Sequence, residues 1–157
     1  MGDLGQIFAI TYHPLPESYR TVPDTPESEN QKSARDKFYS GLLHDFYFPE
    51  YFKRATTKAD IESESFIGDD AERALWATIS LPEIYPIKGT KKILDGKRCV
   101  LIFVKRGVIY MLEYEAQPQV LQLAAPFGNK TNQASPVLDI PASQAILTQF
   151  KDVIIFK

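Results

Sequence analysis

Residues 99–114 carry an almost unbroken run of β-branched, aliphatic and aromatic side chains, interrupted by Lys105-Arg106-Gly107 and, near its end, by Glu113. Two such runs around a short polar turn ending in Gly predict a β-hairpin. Strand side chains alternate, so Leu101 and Phe103 face one way and Val100, Ile102 and Val104 the other. Val108, Tyr110 and Leu112 oppose Ile109 and Met111 in the same manner. A sheet with one wet face alternates apolar and polar positions. Here both sets are apolar, which predicts a hairpin covered on both sides.

The same pattern predicts a strand from Gln6 to Tyr12, built on Ile7, Phe8, Ile10, Thr11 and Tyr12 and closed by His13-Pro14-Leu15-Pro16. Thr25-Pro26-Glu27 has the form of a helix start, with an N-cap hydroxyl, proline in the first turn and acids after it. Ala34, Phe38, Leu42 and Phe46 recur every four residues, joined by Tyr39 and Leu43, and predict a helix over 26–46. Pro49 has the form of a helix restart running to about 60. Residues 60–68 are polar and acidic and read as loop. Ala71, Ala74, Leu75, Thr78 and Ile79 fit a short helix to about 78 followed by extended chain, although Leu75, Ala77, Ile79 and Leu81 also alternate as in a strand. Pro82 and Pro86 exclude a regular helix beyond that point. Residues 88–98 form a basic turn region with Asp95-Gly96, a favoured turn dipeptide. Val120–Ala124 is a weaker strand candidate, 125–136 a loop, 141–149 a short helix and 153–156 a closing extended segment.

These elements predict an α+β fold in one domain: a mostly antiparallel sheet of four to six strands with helices packed on one or both faces. The length of 157 residues and a hydrophobic content of 44% suit a single globular core. No apolar run reaches the ~18 residues of a membrane-spanning helix.

Charge is uneven along the chain. Residues 1–87 hold 15 acids and 8 bases, and residues 88–157 hold 5 acids and 10 bases, giving −7 and +5 and a net charge of −2. The overall balance argues against a general nucleic-acid binder. The uneven halves fit a dipolar surface, or one helix-rich half with a solvated acidic exterior. The single cysteine, Cys99, sits within the apolar hairpin and reads as a small buried hydrophobe.

Catalytic patterns are missing from the sequence. His13 and His44 have no neighbouring ligands at metal spacing, no nucleophile elbow occurs, and the acids at 60, 62, 64, 69, 70 and 72 do not follow a calcium-loop pattern. No cofactor or metal is called for. Gly89–Arg98 fails the phosphate-loop spacing, which leaves Lys91, Lys92, Lys97 and Arg98, with Lys88, as a candidate anion site. The aromatic knot at 46–52 is the leading recognition feature. Phe46, Phe48 and Phe52 are assigned to the core, and Tyr47 and Tyr51, each with a polar tip, to an exposed edge that contacts a protein partner. Homo-oligomerisation is open.

The order of features in the last third also resembles a known family. A Gly96-Lys97 turn precedes the hairpin, whose second strand ends Tyr110-Met111-Leu112-Glu113-Tyr114-Glu115-Ala116. A loop follows, then Ile146-Leu147-Thr148-Gln149-Phe150-Lys151. Residues 95–151 thus resemble the C-terminal half of the PsbP-like superfamily, proteins related to the photosystem II extrinsic subunit. The resemblance implies an antiparallel sheet sandwiched between helices, a non-enzymatic accessory or binding role, and no specific functional residue. The first functional expectation is therefore a non-catalytic interaction or accessory domain. The alternative is a small-molecule or enzymatic pocket in a fold resembling NTF2-like proteins, with His13, Tyr12 and Asp70 as its candidates.

Overall fold

The computed structural model describes residues 6–17, 28–51, 58–69, 73–86, 91, 93–116 and 140–153. Five strands form one antiparallel sheet: β1 (Gln6–Pro14), β2 (Asp60–Ile67), β3 (Ala74–Pro86), β4 (Ile93–Lys105) and β5 (Val108–Ala116), in the order β1-β5-β4-β3-β2. Helix α1 (Glu29–Gly41) runs without a break into a π-helical stretch, Leu42–Tyr47, and then into α2 (Phe48–Tyr51). Helix α3 (Ile140–Val153) lies after the sheet in the chain.

The β4–β5 hairpin occupies the interior of the sheet, and its two faces feed two separate cores. Val100, Ile102, Ile109 and Met111 pack with Leu75, Ala77, Ile79 and Leu81 of β3 beneath Phe38, Tyr39, Leu43 and Tyr47. Cys99, Leu101, Phe103, Leu112 and Tyr114 pack with Ala74 and Trp76 beneath Leu147 of α3. Helices therefore cover both faces. The turn is Arg106-Gly107, both at positive φ (51° and 72°), a conformation glycine adopts without a Cβ penalty.

Two stretches read differently from the sequence form strands. Residues 60–67, expected as loop, are the edge strand β2. Residues 74–86, expected to begin as helix, are strand throughout. Ala74 through Ile79 are all buried, so β3 is apolar on both faces and its period of two is masked. Pro82 is accommodated by a bulge: Leu81 pairs with Gly96 and Tyr85 with Leu94, leaving Pro82-Glu83-Ile84 opposite Asp95 alone. Glu83 takes φ 54°, and its N–H donates to Asp95 Oδ1 at 2.8 Å. Asp95-Gly96 is thus part of β4 rather than a turn.

The first helix is capped by Ser28, whose Oγ accepts from Gln31 N at 3.3 Å. The expected cap Thr25 lies outside the described residues, as do Phe52, the strand candidate at 120–124, the loop at 125–136 and residues 154–156. The closing helix extends beyond the expected 149 to Val153. At the far end of the sheet, the Tyr39 hydroxyl accepts a hydrogen bond from Val104 N at 3.1 Å. Val104 lies one residue beyond the end of its β3 partner strand, so a side chain takes over where the ladder stops.

Candidate functional site

The two edges of the sheet are built differently. The β2 edge carries Asp60, Glu62 and Glu64, and its register shifts between Ile61 and Ser63. Charges and a bulge are the usual guards of an edge strand. The β1 edge, Gln-Ile-Phe-Ala-Ile-Thr-Tyr-His-Pro, holds no carboxylate, lysine or arginine. Its large side chains alternate with small ones. Phe8, Ile10 and Tyr12 lie opposite Tyr114, Leu112 and Tyr110 of β5 and share the α3 side of the sheet. They are 37%, 46% and 70% exposed. The helix reaches only one end of this row, where the rings of Phe8 and Phe150 stand 4.3 Å apart. Phe150 and Ile146 are themselves exposed, so an apolar stripe runs from α3 across Phe8 and along β1 to Tyr12.

The backbone on this edge is also free among the described residues. Leu15 N donates to Gly107 O at 2.8 Å, which fixes the alternation of the β1–β5 ladder. Stepping back by two along the register, His13, Thr11, Ala9 and Ile7 point their polar groups at β5. Phe8, Ile10 and Tyr12 point theirs outward. Pro14 falls in the outward set, where a missing N–H breaks no bond to β5; this is why the strand continues through Pro14 rather than stopping before it.

A second site lies buried on the other face. Arg98 of β4 sits directly across from Glu115 of β5. Its Nε donates to Glu115 Oε2 at 2.7 Å and its Nη1 to Glu113 Oε2 at 2.7 Å, and Nη2 also bonds Glu115. Both carboxylates are buried. Tyr47 covers them from the π-helical stretch, and burial, with Glu113 beside it, holds its hydroxyl well above the ordinary phenol range. Burial pushes Glu115 up from 4.5 to about 7. One guanidinium faces two carboxylates, so a proton on Glu115 brings the cluster to neutrality.

A pH dependence follows from that proton. The folded chain binds it more tightly than the unfolded chain, whose carboxyl sits near 4.5. The contribution of Glu115 is therefore fully present below about 4.5 and is lost as pH rises through about 7. Urea midpoints are expected to be higher at the acidic end of this window than at mildly alkaline pH. Glu115→Gln should flatten the slope; an unchanged slope in that variant would assign the titration elsewhere.

The residues singled out in the sequence are dispersed. Tyr47, expected at an exposed edge, is fully buried, while Phe46, expected in the core, is 40% exposed and meets His13 edge-on at 5.8 Å. The π-helical winding, with its i→i+5 bonds, is the cause: it holds more residues per turn and swings Tyr47 inward in place of Phe46. Tyr51 is the last residue of α2. Of the candidate anion site, two members are engaged by carboxylates. Arg98 is held by two carboxylates, and Lys97 Nζ pairs with Glu62 at 2.8 Å. Lys91 is exposed, and Lys88 and Lys92 lie outside the described residues. His13 and Tyr12 project from opposite faces of β1, and Asp70 lies outside the described residues.

Ser40, His44 and Glu64 come together without sequence warning. His44 Nε2 stands 2.6 Å from Glu64 Oε2, and Ser40 Oγ donates to Glu64 Oε1 at 3.4 Å. The carboxylate lies between hydroxyl and imidazole, so the histidine is not placed as base to the serine, and the trio ties the first helix and the π-helical stretch to β2. Cys99 is buried, and burial raises its thiol to about 12, leaving no thiolate at neutral pH. Among the described residues no group of three or more His, Cys, Asp or Glu is arranged to hold a metal ion, and no helix is long and apolar enough to cross a membrane.

Glu113 and Glu115 carried a readable signal: two acids break the otherwise apolar β5, and the turn at Arg106-Gly107 sets Glu115 opposite Arg98. The β1 stripe was signalled by large residues at 8, 10 and 12 against Ala9 and Thr11. No family model matches this chain, and no curated protein matches it.

Proposed function

We propose that this chain is a non-catalytic interaction domain that binds a protein partner along β1. The unguarded edge carries the reading. Outward N–H and C=O groups of Phe8, Ile10 and Tyr12 offer a ladder, and their side chains offer the apolar contacts of strand addition. The contrast with the acid-guarded β2 edge supports the choice of side. The accessory role implied by the PsbP-like resemblance of residues 95–151 points the same way. Tyr47, buried on the inner side of the π-helical stretch, is replaced in this reading by Tyr12, whose ring is 70% exposed.

The test is capture of partners from the native host on tagged protein, comparing the natural chain with Ile10→Lys and Tyr12→Glu. Both variants place a charge on the stripe without touching a core. Loss of the same bands in both, with the far-UV circular dichroism of the folded chain retained, is the expected result. Identical band patterns from all three proteins would move the contact surface away from β1.

A further inference from the structure

Resting on the reading of β1 as a docking edge, we infer that its occupant is a second copy of this chain, added strand to strand about a two-fold axis at Ile10. The edge is self-complementary in three respects. Reversing β1 about Ile10 sets Phe8 against Tyr12 of the other copy and Ile10 against itself, so the apolar stripe meets its own image. The outward polar groups all belong to the even positions. An even centre therefore puts outward donors opposite outward acceptors along the whole strand, and Pro14, which has no N–H, falls at the ends of the joint ladder opposite Gln6. Finally, neither copy brings a carboxylate, lysine or arginine to the contact, so no like charges are forced together.

The alternative pairing, β1 of one copy on β2 of the next, is head-to-tail and would build a ring or an open filament. It is opposed by the acids and the bulge of β2. The two-fold arrangement closes on itself. Its axis stands perpendicular to the sheet, so the α3 helices of both copies lie on the same side. The apolar stripes then join into one floor between the two Phe150–Phe8 contacts.

The symmetry gives a sharp test, because in an antiparallel two-fold pair only the residue on the axis meets its own copy. Opposed Cα atoms in a hydrogen-bonded pair lie about 5.5 Å apart, within disulfide range. The native Cys99 is buried and does not compete. Under mild oxidation, Ile10→Cys is expected to give a covalent dimer, whereas Ala9→Cys and Thr11→Cys, each facing the other's position, are not. The natural chain should sediment as a dimer and Ile10→Lys as a folded monomer. Self-crosslinking at 9 or 11 rather than 10, or a dimer that survives Ile10→Lys, overturns the inference. A natural chain that stays monomeric over a wide concentration range overturns it too. In that last case, partner capture that is still lost in Ile10→Lys would show the docking edge intact with a different occupant, and capture unaffected by the variant would show that both readings fail.

Discussion

Arg98→Ala is expected to lower the unfolding free energy by about 3–5 kcal/mol, the range for removing one partner of a buried ion pair. The side chain bonds both Glu113 and Glu115, which are 8% and 3% exposed. Removing it leaves two carboxylates beneath Tyr47 without the one cation that pairs with them among the described residues. Part of the loss is relieved by protonation, so the variant should be least stable at alkaline pH and recover as pH falls. Urea unfolding at two pH values measures both effects. Joint replacement of all three residues by apolar side chains of similar volume should return most of the stability, because it removes the uncompensated charge rather than exposing it. A loss in Arg98→Ala no greater than the ~1 kcal/mol of an exposed pair would mean that water reaches this cluster.

Leu101→Ala and Ile102→Ala are each expected to cost about 2–5 kcal/mol, the range for deleting a fully buried aliphatic side chain. The two residues are neighbours on β4 with no exposed surface, and they enter different cores. Leu101 packs in the layer that includes Trp76 and Leu147, and Ile102 in the layer that includes Leu43 and Met111. If only one face of the hairpin were covered, one substitution would cost several times more than the other. Comparable losses in urea denaturation, set against a change within about 0.5 kcal/mol for Val153→Ala at the exposed end of α3, are the expected result. A near-neutral effect at either buried position would contradict the three-layer arrangement.

The central hairpin was legible because its signal is local. Period-two alternation, a Gly-containing turn and apolar residues on both faces all lie within residues 99–114. The first helix was legible for the same reason, through its four-residue recurrence and its acidic first turn. The two strands that were missed depend on neighbours. β2 is polar along most of its length, with only Ile61, Phe66 and Ile67 partly buried, and what makes it a strand is the ladder to β3. β3 is buried on both faces, and a short all-apolar run carries no period by which strand and helix can be told apart. Its helix-like spacing at 71, 74, 75, 78 and 79 was outweighed by the pairing offered by β4.

The functional surfaces divide along the same line. The Arg98 cluster joins residues that the hairpin register alone puts together, but the burial that gives Glu115 its raised proton affinity comes from the helix above it. Tyr47 shows this most directly. A tyrosine in an aromatic knot is equally suited to a core or to a rim, and a local π-helical winding turned it inward.

By itself, then, the order of residues determined an α+β protein with a doubly covered hairpin, a buried inert cysteine and a long first helix, because each of these follows from short-range periodicity and turn chemistry. Only the tertiary structure decided which edge is guarded, which aromatic side chains face water and which charges are shared. Those properties belong to pairs of residues far apart in the chain, and they exist only once strand order and helix winding bring the partners within contact distance.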